Sequence, residues 1–461
     1  MQPEDRDGLT FTVTRRDPEL VCPSEPTPRE YKRLSDIDDQ DSFRFQIPIM
    51  QFYPGGCLSL MPQRDHPALA IRDGLSKALV YYYPFAGRLR EFHGRKLVVD
   101  CTAEGVLFIE ADADVTLEQF GNPLRPLFPC FEELLFDVPG SAGILGCPLL
   151  LIQVTRLRCG GFIVATRLNH AMSDGLGLVQ FLNAVGEMAR GADAPSVLPV
   201  WHRELLEARK PPRVTCIHRE YDEVPDTKGT SVALEDTTHR SFFFGSTEIA
   251  ALRRSIPQHQ QGCSTFEILT ACLWRCRTIA LAPDSTEEMR LICNVNCRNK
   301  FNPPLPKGFY GNALALPVAI TTAGELSTSP LGYAVDLIKK AKDSVTEEYI
   351  RSVADLMVSV GRRHYAVVRT YIVSDMTRAG LGDIDFGWGK PKYSGPVRGG
   401  LRSSFYIPSK NGNGEDGILV PIRLPAAAME QFDRELKAAL RAYQSGDLNP
   451  IHKPKSSLSS L

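Results

Sequence analysis

Residues 160–191 restrict the fold more than any other part of the chain. Residues 160–168 form a short run of apolar and β-branched side chains (Phe162, Ile163, Val164, Leu168) opened by two glycines, the pattern of a strand. Polar turn formers follow (Asn169, His170, Ser173, Asp174, Gly175), and then Leu178, Phe181, Leu182 and Val185 recur at helical spacing. Ser173 or Asp174 is placed to cap that helix. His170 therefore stands where a strand has stopped and a helix has not begun, a point at which α/β folds turn side chains into a crevice. Spacing alone leaves a plainer alternative open: a histidine with no task, beside an aspartate that only caps a helix.

At 461 residues the chain exceeds one ordinary core, and two or three domains are expected. Hydrophobic residues at 43% and charged ones at 23% are the usage of a packed globular protein. A net charge of −1 supplies no basic field for nucleic acid. The twelve cysteines include no Cys-x-x-Cys pair, and Cys272 with Cys276 or Cys293 with Cys297 lack a nearby histidine pair, so no metal site is expected. Free thiols in a reducing compartment are the simpler reading. Eight of the first 20 residues are charged, which excludes a secretory signal, and the apolar runs at 148–152 and 313–320 are far too short for a membrane span. A soluble, intracellular protein is expected.

In chain order, residues 43–53 alternate as a strand (Phe43, Phe45, Ile47, Ile49), and 65–83 carry a helical stripe (Ile71, Leu75, Ala78, Leu79, Tyr82). Strands follow at 96–100, 105–111 and 149–156. The proline- and charge-rich stretch at 201–240 has little periodicity, which places a crossover linker there, between an N-terminal domain at 1–200 and a C-terminal domain at 241–461. In the second domain 241–244 and 290–296 read as strands, and 264–279 as a buried helix with Ser264 and Glu267 as a capping box. Residues 331–346 and 365–370 add further elements. A hairpin at 401–424 turns at Asn411, Gly412, Asn413 and Gly414, and a last helix starts at Pro425.

A second glycine-rich segment, Asp385, Phe386, Gly387, Trp388 and Gly389, is unsuited to a helix interior. Together with His170, Asp174 and Gly175 it makes the chain resemble the plant acyl-CoA-dependent acyltransferases called the BAHD family, whose signatures are His-x-x-x-Asp-Gly and Asp-Phe-Gly-Trp-Gly. Both stand intact. The likeness covers nearly the whole chain, and residues 34–38, 83–88 and 373–380 are most similar to the branch containing benzyl alcohol benzoyltransferases and fruit-ester enzymes. The resemblance implies an α/β fold of two chloramphenicol-acetyltransferase-like domains, with mixed sheets and flanking helices and an active-site channel at their interface. It implies transfer of an acyl group, benzoyl first, from acyl-CoA to the hydroxyl of a small alcohol such as benzyl alcohol. Medium-chain aliphatic acyl-CoA donors are the alternative, and a catalytically silent acyl-CoA-binding relative is the rival outside the enzymes. A peptide-synthetase condensation domain would carry a second histidine where Asn169 stands.

Such a transfer needs a base, a site for the oxyanion and a dry channel. A histidine is the natural base near neutral pH, and His170 is the candidate. The chain has no Gly-x-Ser-x-Gly elbow, and Cys57, Cys147 and Cys159 have unmarked surroundings, so direct attack by the alcohol is expected. Trp388 offers an indole N–H to the thioester carbonyl oxygen. Asp174, as a cap, points its carboxylate at amides and away from the imidazole; the resemblance pairs it with an arginine, here Arg298. Asp385, Gly387 and Gly389 are expected to build a structural turn. Residues 309–312 resemble the family's block beside the coenzyme A channel, so Gly311 and Asn312, with Ser264 and Thr265, are the candidate CoA-binding residues. No metal and no permanently bound cofactor are expected, acyl-CoA being a co-substrate. The partners are that acyl-CoA and the alcohol, with neither nucleic acid nor membrane, and the protein is expected to be a monomer. Ser459, Ser460 and Leu461, with Lys453 and Lys455 upstream, resemble a peroxisomal tripeptide, so the peroxisome or the cytosol is the expected location.

Overall fold

The computed structural model describes residues 9–55, 66–226 and 236–445. Cys57 and the C-terminal tripeptide with its lysines lie outside these residues. The chain begins with β1 (Val13–Arg15), β2 (Glu19–Val21), β3 (Tyr31–Arg33), β4 (Gln46–Tyr53), α1 (Pro67–Tyr81), β5 (Arg88–Glu91) and β6 (Leu97–Asp100). It continues with β7 (Val106–Ala113), α2 (Phe131–Leu134), β8 (Leu150–Leu157), β9 (Phe162–Asn169) and α3 (Gly175–Ala189). The second half holds β10 (Thr237–Phe244), α4 (Ser246–Arg254), α5 (Thr265–Leu281), β11 (Glu288–Cys293), β12 (Val295–Asn296), β13 (Leu314–Ala315) and β14 (Val318–Thr322). It ends with α6 (Ala323–Thr328), α7 (Leu331–Asp343), α8 (Glu347–Val360), β15 (Thr370–Asp375), β16 (Tyr393–Pro396), β17 (Ser403–Lys410), β18 (Asp416–Pro425) and α9 (Ala426–Ser445).

Two mixed sheets organise these elements. The first runs β1-β7-β8-β9-β4-β16, with β2 also on β7, and the second runs β10-β18-β17-β15-β11-β14. In the first, β9 lies between β8 and β4 and is buried on both faces, which is why it reads as a nearly unbroken apolar run. Phe162, Val164 and Leu168 pack under α1 and α3, while Ile163 and Ala165 face the opposite layer. Helices α1 and α3 lie so close that a Cβ at Gly74 would stand 2.6 Å from the carbonyl oxygen of Val185. The second sheet is covered by α4, α5, α6, α7 and α9 around Leu269, Trp274, Ile338 and Phe432. A third apolar layer, Met50, Phe52, Ile163 and Ala165 against Tyr393, Val397, Ile407 and Leu419, joins the two sheets. No helix among the described residues is long and apolar enough to cross a membrane.

One segment crosses between the two halves. Residues 381–397 leave the C-terminal half: Leu381, Ile384 and Phe386 enter the N-terminal core, and β16 pairs with β4, Tyr393 opposite Phe52 and Pro396 opposite Ile49. The Asp385–Gly389 segment, expected with the C-terminal domain, thus packs on the core of the N-terminal half. The physical reason is the apolar edge of β4, which would otherwise present unpaired backbone groups. β10 begins at Thr237, earlier than expected, and β4 begins only at Gln46, because Asp41–Phe43 is a 3₁₀ turn. Helix α8 was not anticipated, although Thr346 caps it and Ile350, Val353, Ala354 and Met357 repeat at helical spacing.

Candidate active site

β9 ends at Asn169, whose Oδ1 accepts from the Ala171 N–H at 3.2 Å and whose Nδ2 donates to the carbonyl of Ile144 at 3.2 Å. One 3₁₀ turn, His170–Met172, carries the chain into α3, where Asp174 Oδ1 accepts from the Gly177 N–H at 2.9 Å as the N-cap. Residues 169–174 are all buried.

Side chains from distant segments hold this loop. Asn312 Nδ2 donates to the His170 carbonyl (2.8 Å), Arg203 Nη2 to the Met172 carbonyl (2.9 Å), and Ser173 Oγ to the Tyr310 carbonyl (2.6 Å). Arg298 forks onto both Asp174 oxygens at 2.8 and 2.9 Å, and the Ala313 N–H adds a bond of 3.0 Å to Oδ2. With Gly177 these donors occupy the whole carboxylate, so none of it is left for the imidazole. Burial by itself would raise the Asp174 carboxyl, and the Arg298 guanidinium overrides it and holds the group below its ordinary 3.8. Asp38, fully buried, accepts from Arg203 Nη1 (3.1 Å), Asn312 Nδ2 (2.9 Å) and the Asn312 N–H (2.8 Å). Since Arg298, Tyr310, Asn312 and Ala313 belong to the second half, the loop sits at the seam between the two.

The imidazole of His170 is stacked on Phe43, with ring centroids 4.7 Å apart at 10°, and meets Phe45 at 5.0 Å and 55°. The backbone N–H of His170 donates to the Phe45 carbonyl at 2.8 Å. The residue is 9% exposed. Nδ1 is buried and makes no hydrogen bond of ordinary geometry, and the same holds for Oδ1 of Asn312. Burial pulls the His170 pKa below 6.5, against the opposing pull of its own carbonyl, Asp174, the Asn312 amide and Asp38. At neutral pH the ring is uncharged.

Of three further expected site residues, Trp388 lies elsewhere, and Gly311 and Asn312 sit behind the loop. Trp388 packs edge-on against Phe162, ring centroids 5.3 Å apart, at the opposite end of β9. Eight residues of strand separate Phe162 from His170, roughly 25 Å at 3.3 Å per residue, so the indole cannot reach a thioester held at the imidazole. Gly311 is not open to a ligand: a Cβ there would lie 1.3 Å from Arg203 Nη1, and the position exists to admit that guanidinium, which lies over Trp201, Phe309 and Tyr310. Asn312 is fully buried, with its amide N–H groups given to Asp38 and His170, so it supports the loop.

The remaining residues form two structural ends. Asp385 Oδ1 accepts from the N–H groups of Gly387 (2.7 Å) and Gly389 (2.8 Å), closing a turn in which both glycines have left-handed φ of 115° and 82°. Its carbonyl accepts from Arg190, and Gly186 admits that carbonyl where a Cβ would stand 2.5 Å away. Ser264 caps α5, accepting from the Glu267 N–H at 3.2 Å, and Thr265 Oγ1 accepts from Arg253 at 3.2 Å. Asp38, Arg203 and Phe43 were not read from the sequence as parts of the site. The acidic run at 34–39 was a visible signal for Asp38; Arg203 and Phe43 carry no local mark.

A family model described as "Transferase family" matches residues 11–439. Benzyl alcohol O-benzoyltransferases of Nicotiana tabacum and Petunia hybrida are each 64% identical over 438 residues, 94% of this chain and 95% of theirs. Alcohol acyltransferase 1 of Actinidia chinensis var. chinensis is 56% identical over 96% of this chain and 97% of its own. Among solved structures, vinorine synthase aligns over 93% of this chain and 98% of its own, with a TM-score of 0.70 at 23% identity. F. graminearum TRI101 complexed with coenzyme A and T-2 mycotoxin aligns over 88% and 97%, with a TM-score of 0.68 at 15% identity. At such identities these two structures speak for the fold alone.

Proposed function

The chain belongs to the transferase family known as BAHD, and on that footing we propose that it carries an acyl group, benzoyl first, from acyl-CoA to the hydroxyl of a small alcohol such as benzyl alcohol, with His170 as general base. One observation carries the assignment of the base: His170 Nδ1 and Asn312 Oδ1 are each buried without a hydrogen bond of ordinary geometry, and the Asn312 side chain is among the groups that act on the ring. A proton on Nδ1 suits that acceptor and leaves Nε2 bare, facing the small exposed part of the ring.

The alcohol hydroxyl donates to Nε2, which takes its proton as the oxygen attacks the thioester carbonyl carbon. The tetrahedral intermediate then expels the CoA thiolate, and the imidazolium returns the proton to that sulfur. No acyl-enzyme is formed, and the base contributes about 10²- to 10⁴-fold. Asp174, Arg298, Asn312 and Arg203 act by fixing the loop that presents the ring. Ser264 and Thr265, at the positive end of α5 beside Arg253, are our candidates for contact with the CoA phosphates. We read the enzyme as a monomer.

The benzoyl donor ranks before aliphatic ones because the two benzoyltransferases are more similar than the Actinidia enzyme, at 64% against 56%. The test is thiol release by the purified protein from benzoyl-CoA and hexanoyl-CoA, each with benzyl alcohol and with hexan-1-ol. Ester and free CoA in equal amounts, fastest with benzoyl-CoA and benzyl alcohol, is the expected result. A silent acyl-CoA binder gives none with any pair.

A further inference from the structure

We propose that Phe45 selects the acceptor: its ring is the wall against which the aryl group of an aryl-methyl alcohol packs while the hydroxyl meets His170. This rests on the function proposed above and names the alcohol class of that same site.

Segment 43–46 points its side chains to different tasks. Arg44 turns away to Asp39, Glu91 and the Arg95 carbonyl, and Gln46 Nε2 is given to the carbonyls of Ser141 and Gly143. Phe43 and Phe45 both turn to the imidazole, but they are not equivalent. Phe43 is 4% exposed and lies flat on the ring, so it is a support. Phe45 is 47% exposed and tilted, with half of its surface uncovered 5.0 Å from the base. A scattered surface phenylalanine needs no explanation, but one that leaves a free aromatic face beside a catalytic imidazole does.

A hydroxyl bonded to Nε2 places the group one carbon away within the roughly 4.5–7 Å at which aromatic rings pair. A straight alkyl chain finds only part of that contact. The segment that bears this wall is fixed to the loop that bears the base, because the Phe45 carbonyl accepts from the His170 backbone N–H. The ring thus keeps its place beside the imidazole, where the alcohol hydroxyl is to be held.

The test compares wild type with Phe45→Leu, after matching their thermal midpoints, using kcat/KM for benzyl alcohol and hexan-1-ol on benzoyl-CoA. The expected result is a fall of about 3- to 10-fold in the benzyl-to-hexyl ratio, the worth of one aromatic pair. The acid limb of the pH profile should stay in place, and Phe43→Leu should slow both alcohols alike. An unchanged ratio overturns the proposal, as does a shift in the benzoyl-to-hexanoyl donor ratio with the alcohol ratio intact. Equal loss on both alcohols with a moved acid limb also overturns it, making Phe45 a support like Phe43. Absence of thiol release by the wild type on every pair would instead defeat the function itself.

Discussion

Two short segments bearing aspartate and glycine, 170–175 and 385–389, look equally marked in the sequence and lie at opposite ends of β9. In each, an aspartate carboxylate gathers backbone amides: Asp174 takes those of Gly177 and Ala313, Asp385 those of Gly387 and Gly389. They part company in what is left over. Around Asp385 the polar groups satisfy one another, and Phe386 and Trp388 pack into the N-terminal core. Around Asp174 the anchors cross between halves, and a neutral imidazole is left with one nitrogen sealed and little surface for the other. The incomplete satisfaction, and not the strength of the motif, separates chemistry from architecture here.

That contrast can be broken by measurement. His170→Ala should lower kcat/KM by about 10²- to 10⁴-fold while thermal unfolding stays near wild type, because the loop's anchors are backbone carbonyls and Asp174. A large stability loss would show the ring to be architecture as well. Asp174→Asn should cost roughly 3 to 5 kcal/mol in denaturant unfolding, since it leaves the Arg298 guanidinium half-buried and without its counter-charge. Equal stability of the two proteins would remove the seam pair from the account. Its sign with pH is fixed: the carboxyl is depressed in the fold, so this stability is complete above about 3.9 and is lost as pH falls through the folded value.

Asp385→Ala should lower stability by about 1 to 3 kcal/mol by stranding two amide donors, with KM little moved. Trp388→Phe should cost about 1 kcal/mol and leave kcat within a few-fold of wild type. A collapse of kcat in a folded Trp388→Phe protein would reverse the correction made for that residue. The smallest effect concerns pH and sharpens the other end of β9. Because burial depresses the His170 pKa, the acid limb of kcat/KM should fall below pH 6.5. The unfolded chain takes up that proton first, so this residue's share of stability declines as pH drops from 6.5 toward the folded value.

The strand, turn and helix around His170 were legible because their signals are local: apolar run, polar turn, helical repeat, cap. So was α5, whose Ser264 and Glu267 spell its own start. The mixed two-sheet α/β fold and the partnership of Arg298 with Asp174 came through resemblance, since nothing near residue 298 points to residue 174. Asn312, Arg203 and Asp38 act on the loop from 142, 31 and more than 100 residues away, and no periodicity reports such contacts. Gly311 was misjudged for a related reason: a glycine announces close approach, but not of what. Trp388 was misplaced because its position follows from β16, a four-residue strand too short to read and paired with a strand some 340 residues earlier.

That short strand limits how the molecule can move. With residues 381–397 sewn into the sheet of the other half, the halves are not jaws on a hinge, and parting them would tear a ladder and bare the rim of β4. Nor would severing the chain near residue 200 yield two competent pieces, for the first would lack its outermost strand. A reactant that reaches His170 would therefore do so without the frame swinging open, past side chains alone.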